Sequence, residues 1–277
     1  MALIEVIIPT FNRAHTLVRA IESVLSQSFK DFSITLVDDG SSDNTKELVQ
    51  RFLNLPNFKY FETKNLGVSH ARNFGAKKTS AKYLAFLDSD DEWFKDKLRL
   101  QLEYLKVYPS FKMIYADERW IRNGVRVNQK KKHQKLGGDI FKNSLKICLI
   151  GTSSVLIEKD MFFSYGGFRE DFLVCEDYDL WLKITCENQV AFIEDELVFK
   201  YGGHSDQLST KFKAMDYFRC KSMFELFKSG CLSSSQKGEV YLEFEHKYKI
   251  LRLGFKKHQR VKELCDIDEW FSRFNKS

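Results

Sequence analysis

The first hundred residues alternate short apolar strands with amphipathic helical segments, and this alternation constrains the fold more than any other feature. Residues 4–8 and 34–37 have the character of buried strands, and two further strands are predicted at 58–61 and 83–87. Apolar residues recur at helical spacing between the first two strands, and a helix is predicted at 69–78. Strands and helices that alternate at this spacing predict a parallel sheet covered by helices on both faces.

Polar residues follow three of these strands. Because parallel sheets bind ligands at the carboxyl ends of their strands, these residues are the first candidates for a functional site. Asn44 and Glu47 are spaced as a capping box and predict the start of the helix after the second strand. We expect three clusters to meet at one rim: Pro9-Thr10-Phe11-Asn12-Arg13 after a first strand that Pro9 halts, Asp38-Asp39 after the second strand, and Asp88-Ser89-Asp90-Asp91 after the fourth.

Asp88 and Asp90 are the clearest candidates for a metal site. Two carboxylates one residue apart on a loop that leaves a buried strand can share a divalent cation, and Mg²⁺ or Mn²⁺ is held in this way in sites that handle phosphate. The alternative is a solvated acidic turn, which the apolar strand before it and Trp93 after it disfavour. The sequence contains neither a P-loop nor a dinucleotide fingerprint, so we expect the cation and arginines such as Arg13 and Arg72 to hold phosphate.

Composition limits the cellular setting. The 277 residues are 43% hydrophobic, and 44 Lys+Arg against 38 Asp+Glu give a net charge of +6, which favours an anionic partner without indicating nucleic acid. No apolar run is long enough to span a membrane and the first residues do not resemble a signal peptide, so a cytoplasmic location is predicted. The six cysteines are widely scattered, which is typical of reduced, structural thiols.

Five segments in this order resemble the family 2 glycosyltransferases over roughly residues 3–210. That family consists of inverting enzymes that use nucleotide sugars and have a GT-A fold. The segments that carry the resemblance are Val6-Ile7-Ile8-Pro9-Thr10-Phe11-Asn12-Arg13, Val37-Asp38-Asp39-Gly40-Ser41-Ser42-Asp43, Asn65-Leu66-Gly67-Val68-Ser69-His70-Ala71-Arg72-Asn73, Phe86-Leu87-Asp88-Ser89-Asp90-Asp91 and Glu176-Asp177-Tyr178-Asp179-Leu180-Trp181.

The resemblance implies a fold and a domain division. The fold class is α/β, a Rossmann-like GT-A domain whose mostly parallel central sheet has helices on both faces, with a small C-terminal helical appendage. We expect the GT-A domain at 1–208, with a nucleotide-binding half at 1–107 and an acceptor-binding half at 108–208, and the helical region at 209–277. Within the acceptor-binding half, a turn is predicted at 120–124.

The resemblance also assigns residues to the nucleotide-sugar donor. It implies that Asp39 accepts a hydrogen bond from the base, while Asp38 either binds nucleotide or caps the following helix. The other residues expected to line the donor pocket are Pro9, Thr10, Asn12 and Arg13 around the nucleotide, Arg72 near the diphosphate or sugar, and Asp88 and Ser89 near the ribose or sugar.

A metal site and a catalytic base complete the implied site. Asp90 is expected to coordinate Mn²⁺ or Mg²⁺, and His204 lies where many members of the family place a histidine near the metal. Inverting transfer needs a carboxylate to take the proton of the acceptor hydroxyl, and Asp177 is our candidate for this base, with Glu176 orienting it or the acceptor. The alternative is that both acids favour the positive end of the following helix.

The function expected from these features is metal-dependent, inverting sugar transfer from a nucleotide sugar, with UDP favoured. The acceptor would be a hydroxyl of a glycan or lipid-linked molecule in the synthesis of cell-surface polysaccharide or glycoconjugates. Alternatives are a haloacid-dehalogenase-like phosphohydrolase that uses Asp88 and Asp90, a non-catalytic protein that binds nucleotide sugars, and metal-dependent nucleotidyl transfer, which would need a glycine-rich phosphate loop after the first strand.

Two lysine-rich segments have open roles. We expect the basic loop at 130–135 to be solvated, with steering of an anionic or lipid-linked acceptor as the alternative. The C-terminal lysines, including Lys247, are expected on a solvated helix face, with contact to the inner face of a membrane as the alternative. The aromatic and leucine stripe from Tyr241 to Phe255 is expected to pack on its own chain, with a second copy as the alternative, so the oligomeric state is not predicted.

Overall fold

A computed structural model describes residues 2–203 and 212–274 of the chain. Within these residues the strands are β1 (Ile4–Thr10), β2 (Phe32–Asp38), β3 (Phe58–Glu62), β4 (Tyr83–Phe86), β5 (Glu92–Trp93), β6 (Met113–Arg122), β7 (Val125–Val127), β8 (Leu156–Glu158) and β9 (Ala191–Gly202). The helices are α1 (Ala14–Leu25), α2 (Thr45–Val49), α3 (Val68–Lys77), α4 (Lys97–Val107), α5 (Phe141–Lys146), α6 (Lys159–Ser164), α7 (Glu176–Thr185), α8 (Asp216–Lys228), α9 (Ser234–Lys257) and α10 (Val261–Phe274).

The strands form one sheet in the order β3-β2-β1-β4-β8-β6-β9-β5, with β7 paired to β6. The pairings β1–β2, β1–β4 and β2–β3 are parallel. Beyond β4 the sheet is mixed, because β8 is antiparallel to β4 and β6 whereas β9 is parallel to β6. The α/β class with a mostly parallel sheet is confirmed, because the long β6–β9 pairing is parallel as well, and the antiparallel pairings are short. Parallel pairing needs crossover connections, which the chain between β1 and β4 supplies as helices.

The first strand continues through Pro9 instead of stopping before it. All seven residues of β1 are buried. The carbonyl of Ile7 accepts a hydrogen bond from the backbone N–H of Leu87 at 3.0 Å, and Pro9 faces the same side two residues later. Since β4 pairs with β1 only as far as Ile7, the missing N–H of Pro9 lies beyond the end of β4 and leaves no ladder bond unmade.

Helix α3 packs closely against the parallel strands at Gly75. A Cβ atom at this position would lie 2.7 Å from Cγ2 of Ile7, so only glycine permits the approach. The preceding turn of the helix carries Arg72, which is buried. The close contact therefore brings a charged side chain from α3 to the carboxyl end of the sheet.

The capping-box prediction for α2 was wrong. The side chain of Asn44 makes no capping hydrogen bond, and its backbone does not adopt the extended conformation usual for an N-cap. Asp43 Oδ1 instead accepts hydrogen bonds from the backbone N–H and the hydroxyl of Thr45, at 3.1 and 2.6 Å. Asp43, one residue earlier than predicted, thus binds the first backbone N–H group of the helix.

The turn predicted at 120–124 begins too early. Strand β6 runs through Arg122 and pairs with β7, so that Trp120 lies opposite Val127. The turn itself is Asn123-Gly124, with φ of 49° and 75°. Positive φ at both positions is typical of the two-residue hairpin turn that the Asn-Gly pair favours.

The C-terminal helices share a core with the rest of the chain. Phe244 and Leu251 of α9 are buried in one cluster with Leu145 of α5 and Tyr178 of α7, so the apolar stripe packs on its own chain. None of the helices within 2–203 and 212–274 combines the length and apolar character needed to cross a membrane. The predicted domain boundary at 208/209 lies outside the described residues.

Lys247 of α9 is not on a solvated face, contrary to the sequence-based expectation. Its side chain is buried, and its ammonium lies 3.1 Å from carboxylate oxygens of both Asp216 and Glu243. It also donates to the carbonyl of Lys146 at 3.0 Å. A buried lysine needs such partners, and two of these three lie on other elements, which explains why helical spacing alone did not reveal them.

Candidate active site

The loops that follow β1 and β2 are joined by hydrogen bonds. The backbone N–H of Asn12 donates to Ser41 Oγ at 2.9 Å, and Asn12 Oδ1 accepts from the backbone N–H of Ser42 at 2.8 Å. Asp43 Oδ2 accepts from the N–H of Ala14 at 3.0 Å. Asn12 has a φ of 52°, a conformation that asparagine tolerates better than most residues. Two of the three polar clusters predicted from the sequence therefore form one surface.

Asp39 holds the segment between β3 and α3 against this surface. One carboxylate oxygen accepts from the hydroxyl of Thr63 at 2.7 Å and from the N–H of Leu66 at 2.9 Å. The other accepts from the N–H of Gly67 at 2.7 Å. The two oxygens of a carboxylate offer about four acceptor positions, so roughly one remains for a further donor.

Asp38 does not cap the following helix. Its carboxylate accepts from the backbone N–H of Ser41 at 2.9 Å and from the hydroxyl of Tyr60 at 3.0 Å. Burial raises the pKa of Tyr60, and the hydrogen bond to Asp38 raises it further. The capping alternative for Asp38 was therefore wrong, and the donor-binding alternative stays a prediction.

Arg72 connects two motifs that are far apart in the sequence. Its guanidinium donates to Asp88 Oδ1 at 2.6 Å and to Glu176 Oε1 at 2.8 Å. The side chain is buried, and its guanidinium carbon lies 5.1 Å from the ring centre of Phe168. Although burial opposes a charged form, the two carboxylates hold the pKa of Arg72 above its usual value. Arg72 thereby fixes the acid pair of α7 beside the loop that follows β4.

That loop presents three carboxylates together. Oxygen atoms of Asp88, Asp90 and Asp91 all lie within 4.8 Å of one another. Asp91 is buried and accepts from the hydroxyl of Ser153 at 2.7 Å and from the backbone N–H of Tyr201 at 3.0 Å. These bonds tie the loop to the short segment before β8 and to the end of β9.

The three charges are crowded. Burial raises the pKa of Asp90, and the negative charge of Asp88 adds to the rise while Arg13 opposes it. Burial likewise raises the pKa of Asp91 well above its usual range, although Lys200 acts in the other direction. Carboxylates that raise one another's pKa in this way suit a divalent cation with hard oxygen ligands, so the donor set fits Mg²⁺ or Mn²⁺.

Lys200 also interacts with a second buried carboxylate. Glu118 Oε2 is 3.0 Å from the ammonium of Lys135, and Oε1 is 3.9 Å from that of Lys200. Burial alone would raise the pKa of Glu118, but the two lysines overcome this effect and lower it to about 2. Lys135 is buried, so the prediction that the whole 130–135 loop is solvated was wrong at this residue.

The candidate base lies at the start of α7. Asp177 Oδ1 accepts from the backbone N–H of Tyr178 at 2.7 Å, and Oδ2 lies 3.4 Å from the thiol of Cys148. Burial raises the pKa of Cys148 well above its usual value, and the charge of Asp177 adds to the effect, so the thiol is the donor. Acids in the first turn are favourable for the helix, and the Glu176 side chain also accepts a hydrogen bond from Arg72.

The structure thus brings most of the predicted residues to one rim. His204 lies outside the described residues. Sequence reasoning gave no role to Asp91, Lys200 or Glu118, because the burial of a charge depends on partners from distant strands. The one available signal was the position of Asp91 directly after the Asp-Ser-Asp segment. The predicted residues at this rim are Pro9, Thr10, Asn12, Arg13, Asp38, Asp39, Arg72, Asp88, Ser89, Asp90, Glu176 and Asp177.

Comparison with known proteins identifies the family. Residues 5–156, more than half of the chain, match the family model described as Glycosyl transferase family 2. WfgD of Escherichia coli, a UDP-Glc:alpha-D-GlcNAc-diphosphoundecaprenol beta-1,3-glucosyltransferase, is 32% identical over 219 residues, which cover 77% of this chain and 82% of WfgD. The chain belongs to glycosyl transferase family 2. Membership of this family is inconsistent with the haloacid-dehalogenase-like alternative.

Longer relatives also match. An uncharacterized glycosyltransferase of Rickettsia felis is 34% identical over 200 residues, which cover 70% of this family 2 chain and 32% of that protein. The chain spans about a third of the length of this and two other rickettsial relatives.

Solved structures share the fold of this family 2 chain. TarS of Staphylococcus aureus in complex with UDP has a TM-score of 0.74 at 18% identity, covering 98% of this chain and 81% of that one. The mannosyltransferase PcManGT of Pyrobaculum calidifontis, in complex with GDP-Man and Mn²⁺, has a TM-score of 0.62 at 14% identity, covering 99% and 84%. The GT-A fold class is thereby confirmed.

Proposed function

We propose that the protein transfers a sugar from a nucleoside diphosphate sugar, with a UDP-sugar favoured, to a hydroxyl group of a glycan or lipid-linked acceptor, with inversion at the anomeric carbon. The observation that carries this proposal is the Arg72 bridge, which holds Asp88 and Glu176 at 2.6 and 2.8 Å from one guanidinium. It places the acidic loop after β4 next to the acid pair of α7. Donor and acceptor chemistry can therefore meet within one site.

The nucleotide would bind on the joined loops after β1 and β2. Pro9, Thr10, Asn12 and Arg13 would line this part of the pocket, and Asp39 would use its remaining acceptor position for the base. The backbone N–H of Asp39 donates to the carbonyl of Thr10 at 2.8 Å, which supports one continuous pocket. The charge of Arg13, which acts on Asp90, supports a position beside the diphosphate.

A divalent cation, Mn²⁺ or Mg²⁺, would be held by Asp90 together with Asp88 or Asp91. The closeness of their oxygens and the raised pKa of Asp90 and Asp91 support this assignment. His204 remains a further candidate ligand. When bound, such a cation offsets the negative charge of the leaving nucleoside diphosphate.

Asp177 would act as the general base. As the acceptor oxygen forms its bond to the anomeric carbon, the bond from that carbon to the diphosphate breaks, and the hydroxyl proton moves to a carboxylate oxygen of Asp177. Each oxygen of Asp177 already accepts one hydrogen bond, from Tyr178 or Cys148, and keeps a further lone pair for the acceptor. Glu176, fixed by Arg72, would position the base and not exchange a proton itself.

The acceptor and the cellular setting come from the relatives. WfgD is named for a lipid diphosphate acceptor, and we propose a similar lipid-linked sugar in the synthesis of cell-surface polysaccharide or glycoconjugates. Lys130 and Lys131 are exposed and would steer an anionic acceptor. All six cysteines are free, which supports a cytoplasmic location, with the enzyme acting at the inner face of the membrane.

A donor screen tests this proposal. The purified protein is incubated with UDP-, GDP- and dTDP-sugars, with Mn²⁺ or with a chelator, in the presence of a synthetic lipid diphosphate sugar. We expect metal-dependent release of one nucleoside diphosphate together with glycosylated acceptor. The Asp177→Asn variant, which keeps the shape of the side chain, should bind the same donor without turnover. Failure of every donor to form product with wild-type protein would overturn the proposal.

A further inference from the structure

Helix α9 is apolar on two opposite faces. Phe244 and Leu251 lie on the face that packs in the core. Leu242 and Leu253 lie on the opposite side and are 65% and 72% exposed, and Ile250, on the flank between the two sides, is 58% exposed. At about 100° per residue, positions 242 and 253 differ by only about 20° around the helix, and 250 lies about 60–80° from them on the flank of the exposed side. A helix on a protein surface normally carries polar residues there, so this second apolar stripe calls for a partner.

Lysines surround the exposed aliphatic residues. Lys249, Lys256 and Lys257 are exposed on the same side of α9, and we call these three lysines with Leu242, Ile250 and Leu253 the aliphatic–lysine face. None of the exposed residues of this helix is acidic. Each of its three glutamates is paired with a lysine, the pairs being Glu239–Lys142 at 3.3 Å, Glu243–Lys247 at 3.1 Å and Glu245–Lys249 at 3.1 Å.

We propose that the aliphatic–lysine face docks on an anionic lipid bilayer. Aliphatic side chains on an interfacial helix enter the boundary between headgroups and acyl chains, while flanking lysines pair with lipid phosphates. Charge decides between this partner and a second copy of the chain. A symmetric contact would bring Lys256 and Lys257 of one chain close to like charges of the other, whereas an anionic surface attracts them.

The geometry of α9 also makes docking compatible with folding. Its core-facing side is already buried by α5, α8 and α10, so the exposed stripe can enter the bilayer surface without opening the core. The inference rests on the proposed function for its setting, since a lipid-linked acceptor would lie in such a bilayer. Its test does not require sugar transfer.

Vesicle co-sedimentation with the full chain tests the inference. The vesicles are phosphatidylcholine alone or equal parts of phosphatidylcholine and phosphatidylglycerol. Leu253→Glu is compared with Val107→Glu, because Val107, at the end of α4, is 68% exposed and receives the same change. Lys256→Glu/Lys257→Glu is compared with Lys77→Glu/Lys78→Glu, an adjacent pair of exposed lysines at the end of α3. Circular dichroism verifies that each variant is folded.

We expect wild-type protein to bind the anionic vesicles and to leave the neutral ones in the supernatant. Leu253→Glu and the Lys256→Glu/Lys257→Glu variant should each weaken binding about tenfold or more, with no comparable loss in the two controls. Equal binding of Leu253→Glu and wild type, or equal binding to both kinds of vesicle, would overturn the proposal. A wild-type dimer that Leu253→Glu dissociates in light scattering would overturn it in favour of a second copy.

The proposed function can fail separately from this inference. Wild-type protein that binds anionic vesicles but turns over no nucleotide sugar would retain the docking face and overturn the enzymatic proposal. Sugar transfer to a water-soluble acceptor, with no binding to anionic vesicles, would do the reverse.

Discussion

Two clusters of acidic side chains interact with Lys200, and their surroundings have opposite effects on the carboxylates. Asp90 and Asp91 crowd together with Asp88, and burial with like charges raises the pKa of both. Glu118 is buried as deeply as Asp91, yet Lys135 and Lys200 lower its pKa to about 2. The Glu118 cluster is therefore neutralised by the protein, whereas the Asp88–Asp91 cluster keeps an excess of negative charge.

This difference separates a structural cluster from a functional one. A buried ion pair that is complete fixes one geometry, and Glu118 thus holds the loop that contains Lys135 against β6. Carboxylates that crowd together destabilise the folded protein by charge repulsion unless a cation binds between them. Lys200 belongs to both groups: Glu118 raises its pKa most, and Asp91 and Asp88 raise it further. The Glu118 cluster thereby positions the positive charge of Lys200 beside the Asp88–Asp91 cluster.

The largest expected effect concerns Asp177, the proposed general base. Asp177→Asn should slow sugar transfer by about 10² to 10⁴, because an amide cannot take the acceptor proton. Single-turnover rates with a saturating donor measure this. Glu187→Gln, an exposed acid just after α7, is the matched control and should retain the wild-type rate. Undiminished transfer by Asp177→Asn would remove Asp177 from the mechanism.

The next effect concerns the arginine that joins the cluster to α7. Arg72→Met leaves Asp88 and Glu176 without their shared cation, and breaking a buried ion pair costs about 3–5 kcal/mol. Arg51→Met is the control, since Arg51 pairs with Glu22 at a similar 2.7 Å but on the surface, where a pair contributes about 0–1 kcal/mol. Urea unfolding measures both. Equal losses would show that burial does not distinguish the two arginines.

A third effect concerns the Glu118 cluster, whose contribution to stability depends on pH. The pKa of Glu118 is 4.5 in the unfolded chain and about 2 in the folded protein. The stabilisation from this carboxylate is therefore fully present above pH 4.5 and disappears as the pH falls towards 2. At one unit of pKa per 1.4 kcal/mol the contribution is about 3 kcal/mol. Glu118→Gln should lose roughly this amount at neutral pH and show a flatter acid dependence than wild type.

Urea unfolding across this pH range measures the effect. Glu47→Gln, an exposed glutamate in α2, is the control and should follow the wild-type curve. The assignment would be contradicted if Glu118→Gln were as stable as wild type at pH 7 and lost the same stability on acidification. Lys135 and Lys200 would then not stabilise the Glu118 carboxylate.

The smallest effect has the opposite sign. In a buffer with chelator, Asp90→Asn removes one of three crowded negative charges, and the melting temperature should rise slightly above that of wild type. Differential scanning calorimetry measures this shift. The opposite signs for Glu118→Gln and Asp90→Asn distinguish the two clusters, and a fall in the melting temperature of Asp90→Asn would show that the acidic cluster is not crowded.

The sequence predicted the parallel half of the sheet and its polar rim well, because buried strands and helical periodicity leave a local pattern. It predicted less of what surrounds the rim. Lys135 and Lys247 looked like solvated lysines, since their carboxylate partners Glu118 and Asp216 are distant in sequence. The Asn44 cap failed for a more local reason, because the neighbouring Asp43 binds the first turn of α2 at Thr45 and the Asn44 backbone does not adopt the extended conformation of an N-cap.

The account depends on the claim that the Asp88–Asp91 cluster binds a divalent cation together with the donor diphosphate. Electron paramagnetic resonance of free Mn²⁺, titrated with protein in the presence of UDP, measures this directly. Wild-type protein should take up one Mn²⁺ per chain, and Asp90→Ala should take up none and transfer no sugar. Equal uptake by both proteins, or sugar transfer by Asp90→Ala at the wild-type rate, would contradict the account.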